Sequence, residues 1–202
     1  GPNPYSQQNP TINNATTSDG GEYKLIITVD GCESDEAATT VVINDKPTVT
    51  LDPVSVLCDD ASPVVLVGNP NSGTYNGNGV SGNLFDPADA KAGTHVVSYT
   101  YTDNNNCTNE AIINIEVQEK PEAIISSIDQ LCEGAADVPL FASPAGGQFS
   151  GEGVIPASEV FKPSLLTPDT YTIKYSWTDN VCSAEATLDV EIRANPIVSI
   201  DE

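Results

Sequence analysis

The sequence predicts an all-β protein built of small two-sheet sandwich modules in tandem. Three observations carry this reading. Gly and Pro number 15 each in 202 residues, and Thr and Val dominate the apolar stretches, which is the composition of short β-branched strands joined by many turns. Apolar residues alternate with period two and do not recur at the i, i+3, i+4, i+7 spacing of amphipathic helices. The chain also repeats itself at intervals of 74–76 residues, and self-similarity at a fixed period marks a modular array.

The repeat rests on several anchors in one register. Lys46-Pro47 recurs as Lys120-Pro121 and as Asn195-Pro196. Cys58 recurs as Cys132, and Cys32 recurs as Cys107 and Cys182. Gly73-Thr74-Tyr75 through Gly79-Val80 matches Gly147-Gln148-Phe149 through Gly153-Val154, Phe85-Asp86-Pro87 matches Phe161-Lys162-Pro163, and Tyr99–Asp103 matches Tyr175–Asp179. The chain therefore divides into a part-module 1–45 holding the second half of a sandwich, complete modules 46–119 and 120–194, and 195–202 as the start of another. With no Met and Gly1 as its first residue, it reads as a segment of something longer.

Within the complete modules, His95, Val97, Tyr99 and Tyr101 share one strand face, as do Tyr171, Ile173, Tyr175 and Trp177. Ile113, Ile115 and Val117, and later Leu188, Val190 and Ile192, repeat the pattern on the final strand. Shorter strands are expected at 48–51, 64–67, 73–76, 122–125, 138–142 and 147–150. About seven strands with frequent turn signals fit a two-sheet sandwich. The linkers Asp45-Lys46-Pro47 and Glu119-Lys120-Pro121 leave little slack, because each Pro holds the residue before it extended.

The net charge is −22. It excludes a phosphate backbone as partner, which needs clustered cations, and an anionic membrane surface repels it for the same reason. The four pieces carry −6, −7, −7 and −2, so acidity is a property of the repeat. No apolar run approaches the roughly 18 residues of a membrane span.

Five cysteines and one histidine, without a C-x-x-C pair, exclude zinc sites of the usual spacing. Each complete module has an early and a late Cys. The sequence reading pairs them within modules, Cys58 with Cys107 and Cys132 with Cys182, each closing a loop of about 50 residues worth roughly 4 kcal/mol. Cys32, in a late position, is then unpaired or half of a cut disulfide. Disulfides imply an oxidising, extracellular or surface location. If Cys58 meets Cys107, Asp59 and Asp60 approach Asp103 and Asn104–Asn106, a set of hard oxygen ligands suited to calcium; the second module offers Glu133, Asp137 and Asp179. The competing expectation is solvated acidic loops with Asx turns, and no cofactor is otherwise expected.

No catalytic constellation appears. Gly77-Asn78-Gly79-Val80-Ser81-Gly82 spells G-x-G-x-x-G, but a dinucleotide site needs the turn between a strand and a helix, and a turn between strands is expected here. His95 has no nucleophile set beside it by any motif. Asn14-Ala15-Thr16 and Asn106-Cys107-Thr108 match the short glycosylation pattern, and Trp177 is expected in the core rather than on a sugar platform. The chain is read as a non-enzyme.

Asp19-Gly20-Gly21-Glu22-Tyr23 is similar to the D-x-G-x-Y corner of immunoglobulin-like domains, where a Tyr hydroxyl bonds back to the backbone; Leu25 stands where an antibody domain has Cys. Tyr171 is its counterpart in the second complete module, and His95 takes that place in the first. Gly1-Pro2-Asn3, Gln8–Ile12, Ala15–Thr17, Gly21–Tyr23 and Gly31-Cys32 together resemble the Ig-like and PKD-like repeats of very large Bacteroidota surface proteins. The block from Gly147 through Phe161-Lys162-Pro163 and Tyr175–Asp179 to Cys182 resembles a second repeat of the same proteins. The resemblance implies adhesins, including the filamentous gliding-motility adhesins exported by the type IX system. It implies a semi-rigid stalk of Ig-like modules at the cell surface, partnered by neighbouring modules of the same chain, with glycan or surface ligands bound elsewhere. Two alternatives remain: a glycan- or protein-binding module, and a spacer array in a secreted hydrolase.

Overall fold

The computed structural model describes residues 11–198. The Gly1–Pro10 part of the resemblance, and the end of the 195–202 stub, lie outside the described residues. The two complete modules have the same strand order. In the first, a four-stranded sheet runs Leu57–Cys58, Thr108–Gln118, Gly93–Thr102, Thr74–Gly77. Against it lie a three-stranded sheet of Val80–Ser81, Leu84–Phe85 and Val64–Val65, and the pair Thr50–Leu51 with Gly68–Asn69. The second module repeats this with Leu131–Cys132, Ser183–Arg193, Asp169–Thr178 and Gln148–Ser150 in the larger sheet.

Each sandwich is organised by one long antiparallel hairpin. Its register pairs Gly93 with Val117 and Thr102 with Thr108 in the first module, and Asp169 with Ile192 and Thr178 with Ser183 in the second. The alternation read from sequence sets which face is inward. Val97, Tyr99, Ile115 and Val117 are buried, as are Ile173, Tyr175, Val190 and Ile192. Two separate cores result, one from residues between Leu51 and Val117 and one from residues between Ile125 and Ile192. Trp177 packs against the second core, and its indole N–H donates to Ala145 O at 3.1 Å.

The hydroxyls of the two most central tyrosines are tied by the same device. Gly73 N–H donates to Tyr99 Oη at 2.7 Å, and that hydroxyl donates to Pro70 O. Gly147 N–H donates to Tyr175 Oη at 2.7 Å, and that hydroxyl donates to Pro144 O. Each tyrosine also stacks on a cross-strand ring, Tyr75 at 4.5 Å and Phe149 at 4.7 Å between centroids. A buried hydroxyl with no partner would be costly, so this bridge is what lets tyrosine sit at the centre of each core.

Within Gly77–Gly82, Asn78-Gly79 turns the chain between the strands Thr74–Gly77 and Val80–Ser81, with Gly79 at φ +75°, and Gly82 begins the next turn into Leu84–Phe85. One helical turn, Pro87–Ala90, follows Phe85, with the Asp86 carboxylate accepting from Ala88 N–H. The sequence pattern did not predict this turn; Asp at the N-cap followed by Pro at N1 is its local signal.

Residues 11–45 form a 3₁₀ turn, Thr17–Asp19, closed by a capping box with Thr16, and a hairpin of Gly21–Leu25 with Ala37–Val41. None of these strand residues is buried, and Leu25, Ile26, Ile27, Val29 and Val42 are exposed. Among the described residues no second sheet packs on this hairpin. It contributes little burial of its own, in contrast to the two closed cores.

Candidate functional site, the junction between the modules

The chemically distinctive place in the molecule is where residue 119 passes into 120. The strand Leu57–Cys58 runs parallel to the end of the final strand of its module, with Leu57 beside Val117 and Cys58 beside Gln118. This sets Cys58 at the end of the first module that faces the linker. The turn between the two long strands of the second module returns to the same linker. There Cys182 Sγ lies 3.9 Å from both Gln118 O and Glu119 O.

Cys58 and Cys182 form a disulfide, spanning 124 residues of sequence with their Cα atoms 5.1 Å apart. Both cysteines are 2% exposed. The bond crosses from one module to the next. Cys107 and Cys132 are free, as is Cys32, which is exposed. The expected pairs Cys58–Cys107 and Cys132–Cys182 are therefore corrected. The reason is strand geometry. Cys58 sits beside Gln118, at one end of the eleven-residue strand Thr108–Gln118, and Cys107 immediately precedes its other end. At about 3.3 Å per residue they are separated by roughly 35 Å. Cys132, beside Arg193, is held away from Cys182 in the same way by Ser183–Arg193. A disulfide needs Cα atoms within about 7 Å.

The calcium expectation depended on the first of those pairs, and its geometry is corrected with it. Asp59 and Asp60 lie at the junction. Asp59 Oδ1 accepts from Lys120 N–H at 3.1 Å, and Lys120 Nζ donates to Asp60 Oδ2 at 2.6 Å. Asp103 caps the hairpin turn at the opposite end, its Oδ1 accepting from Asn105 N–H (2.8 Å) and Cys107 N–H (2.9 Å). In the second module Asp179 caps the junction turn, Glu133 lies at the far end beside Arg193, and Asp137 pairs with Lys162 at 2.8 Å. Cys58, Asp59 and Asp60 do cluster, but the sulfur is committed to the disulfide and Lys120 occupies both carboxylates. These acids act as turn caps and linker anchors.

Two of these groups have shifted acidities. Backbone N–H bonds from Cys182 and Val181 hold the Asp179 carboxyl below its ordinary range, and the hydrogen bond to Asp60 holds the Lys120 ammonium above its own. The Asp179 cap is thus fully made above the ordinary carboxylate range and lost as pH falls through the lowered value. In amide-exchange measurements Val181 and Cys182 should keep their protection as pH falls through the ordinary carboxylate range and lose it only below that range. Asp179→Ala should show the unprotected pattern at every pH. Gln118 Oε1, also at the junction, is the one buried side-chain oxygen or nitrogen without a hydrogen-bond partner among the described residues.

The corner residues sit at the strand starts, away from the junction chemistry. Tyr23 Oη donates to Asp19 O, and Tyr171 Oη donates to Thr167 O at 2.9 Å, each four residues back. His95 makes the same local bond by other means: its Nε2 donates to Lys91 O at 2.8 Å, also four residues back. The carbonyl acceptor assigns the proton to Nε2, and Nδ1 faces Asn78 Nδ2 at 3.4 Å. His95→Tyr should leave stability within about 0.5 kcal/mol, whereas His95→Phe should cost about 1 kcal/mol, the net worth of one hydrogen bond. Urea unfolding of the two variants checks this.

Fold and junction together define the class: tandem immunoglobulin-like β-sandwich modules joined by an inter-module disulfide. The sequence matches no family model and no curated protein. Among solved structures the chain is similar to the insect immune protein hemolin, with 14% identity over 90% of this chain and 58% of that one, at a TM-score of 0.35. It is similar to protocadherin gammaB7 EC3-6, with 9% identity over 87% and 58% and a TM-score of 0.34. A third likeness is to Bacteroides ovatus SGBP-B in complex with a mixed-linkage heptasaccharide, with 15% identity over 74% and 45% and a TM-score of 0.25. The chain thus spans less than two thirds of each of these proteins. The fold assignment itself rests on the strand order and the two cores. Among the described residues no helix is long and apolar enough to cross a membrane.

Proposed function

We propose that the chain is a stretch of stalk from a large bacterial cell-surface adhesin, of the Bacteroidota gliding-adhesin kind that its repeat motifs resemble. In this reading it is not an enzyme. Its partners are the neighbouring modules of the same chain, and ligand binding to glycan or cell surface belongs to other regions. The observation that carries the proposal is the Cys58–Cys182 bond across a linker of a few residues. A clasp at that place limits hinge motion between consecutive sandwiches and keeps them joined under load. A disulfide also favours an oxidising location outside the cytoplasm. A charge near −7 per complete module keeps a repetitive β-rich array soluble and discourages edge-to-edge association.

The test is mechanical. Small-angle scattering of the oxidised chain should give a narrow distribution of maximum dimension that broadens on reduction. Identical profiles before and after reduction would sink the stalk reading. Saturable binding of the chain on a glycan array would replace it with the ligand-binding alternative.

A further inference from the structure

We propose that Cys107 and Cys132 are the two unjoined halves of the same clasp. Each is built to bond a cysteine on an adjoining module of this type, so that the disulfide recurs at the junctions on either side of these two modules. The inference rests on the stalk reading and adds to it a specific bonding rule: the early cysteine of one module joins the late cysteine of the next.

The late half-site is repeated in detail. Cys182 Sγ lies 3.9 Å from Glu119 O, and Cys107 Sγ lies 3.9 Å from Asn44 O, the position 75 residues earlier. Both turns are held by an aspartate: Asp179 Oδ1 accepts from Cys182 N–H at 2.8 Å, and Asp103 Oδ1 from Cys107 N–H at 2.9 Å. The early half-site is repeated as closely. Cys132 runs parallel beside Arg193 as Cys58 does beside Gln118. Glu133 N–H donates to Arg193 O at 2.8 Å where Asp59 N–H donates to Gln118 O at 2.9 Å. Ala135 N–H donates to Cys132 O at 3.1 Å where Ala61 N–H donates to Cys58 O at 3.0 Å. The linker is anchored at both places, by Lys120 N–H on Asp59 Oδ1 and by Asn195 Nδ2 on Glu133 O.

What differs is the partner. Cys58 is 2% exposed, covered by the module it is bonded to, and Cys132 is exposed. Cys107 and Cys132 cannot meet within one chain of this length, because each lies at the end of its module away from the junction. Cys32 is not included. It sits in the tip strand of its hairpin, paired with Val29, without the aspartate cap. Closing the bond converts two thiols to a disulfide, and the two protons and two electrons pass to a disulfide oxidant such as oxidised glutathione, which is reduced to its thiols.

The test extends the whole chain. Residues 1–194, carrying Cys32→Ser and Cys107→Ser, are continued by a second copy of 46–202 carrying Cys132→Ser, so that Lys46-Pro47 of the copy takes the place of Asn195-Pro196 and the only thiols outside the Cys58–Cys182 bonds are Cys132 and the second copy's Cys107. The protein is refolded with oxidised glutathione, alkylated and mapped by mass spectrometry without reduction. The expected result is a peptide joining Cys132 to the second copy's Cys107 within a single chain, with loss of alkylation at both thiols. In a version whose first copy also carries Cys132→Ser the second copy's Cys107 should regain full alkylation. Alkylation of both thiols while Cys58–Cys182 remains closed would overturn the bonding rule and leave the stalk reading standing. Continued protection in the Cys132→Ser version, or bonds found only between separate chains, would also overturn it. Failure of Cys58–Cys182 to close would instead remove the basis of the stalk reading.

Discussion

Replacing Cys58 and Cys182 together by serine is expected to lower the summed unfolding free energy of the two modules by about 5 kcal/mol, the chain-entropy value for a bond closing some 125 residues. The effect arises in the unfolded state, where the bond removes freedom from nearly the whole second module and most of the first. Both modules should still fold, because neither core includes the bridging cysteines. Urea unfolding should therefore show the native strand signature retained and the two modules melting independently. In the wild-type chain the bond couples them. Unchanged stability in the double variant would show that the bond adds no constraint beyond the short linker. The single variant Cys58→Ser should resemble the double one, with Cys182 newly open to alkylation.

The second large effect is expected at the buried tyrosines. Tyr175→Phe removes the group that bridges Gly147 N–H and Pro144 O, leaving a half-buried donor and acceptor without partners. Such orphans cost about 1–3 kcal/mol each. Allowing for water entry at the loop, we expect a loss of about 2–4 kcal/mol in the second module, and the same for Tyr99→Phe in the first. Gly147→Ala should be at least as damaging for a steric reason. A Cβ there would lie 2.4 Å from Ser176 O and from the Tyr175 ring, and neither the backbone nor a packed ring can yield. The corresponding Cβ at Gly73 would lie 2.5 Å from Thr100 O and the Tyr99 ring. Thermal unfolding of each variant in the Cys58→Ser/Cys182→Ser background, followed by near-ultraviolet circular dichroism, should show one transition moved to lower temperature, that of the module carrying the change. An unaltered melting profile for Tyr175→Phe would mean that water replaces the hydroxyl without penalty.

Much of the fold was legible along the chain. The hairpin faces follow from strict alternation, which needs only neighbouring residues: Val97 and Tyr99 inward, Val96 outward, and likewise Ile173 and Tyr175. The Asp-Gly-Gly-Glu-Tyr corner was legible for the same reason, since its hydrogen bond spans four residues. His95 was less so. Its ring differs from tyrosine as a letter but delivers a donor to the same carbonyl position. The tyrosine bridges escaped because their acceptors lie 29 and 31 residues away across irregular loops. The one available signal was Gly73 and Gly147 recurring in register with Tyr99 and Tyr175.

The sequence by itself determined the repeat, the all-β character, the inward faces and the positions of the cysteines, because each is written in local pattern or in self-similarity. Only the tertiary structure decided which cysteines meet. An early and a late Cys in every module look like a pair when read along the chain. The parallel placement of Leu57–Cys58 beside Val117-Gln118 puts them at opposite ends of one sandwich. That register is a non-local choice, made by packing a two-residue strand against the end of an eleven-residue one. It turns a bond within the module into a bond between modules.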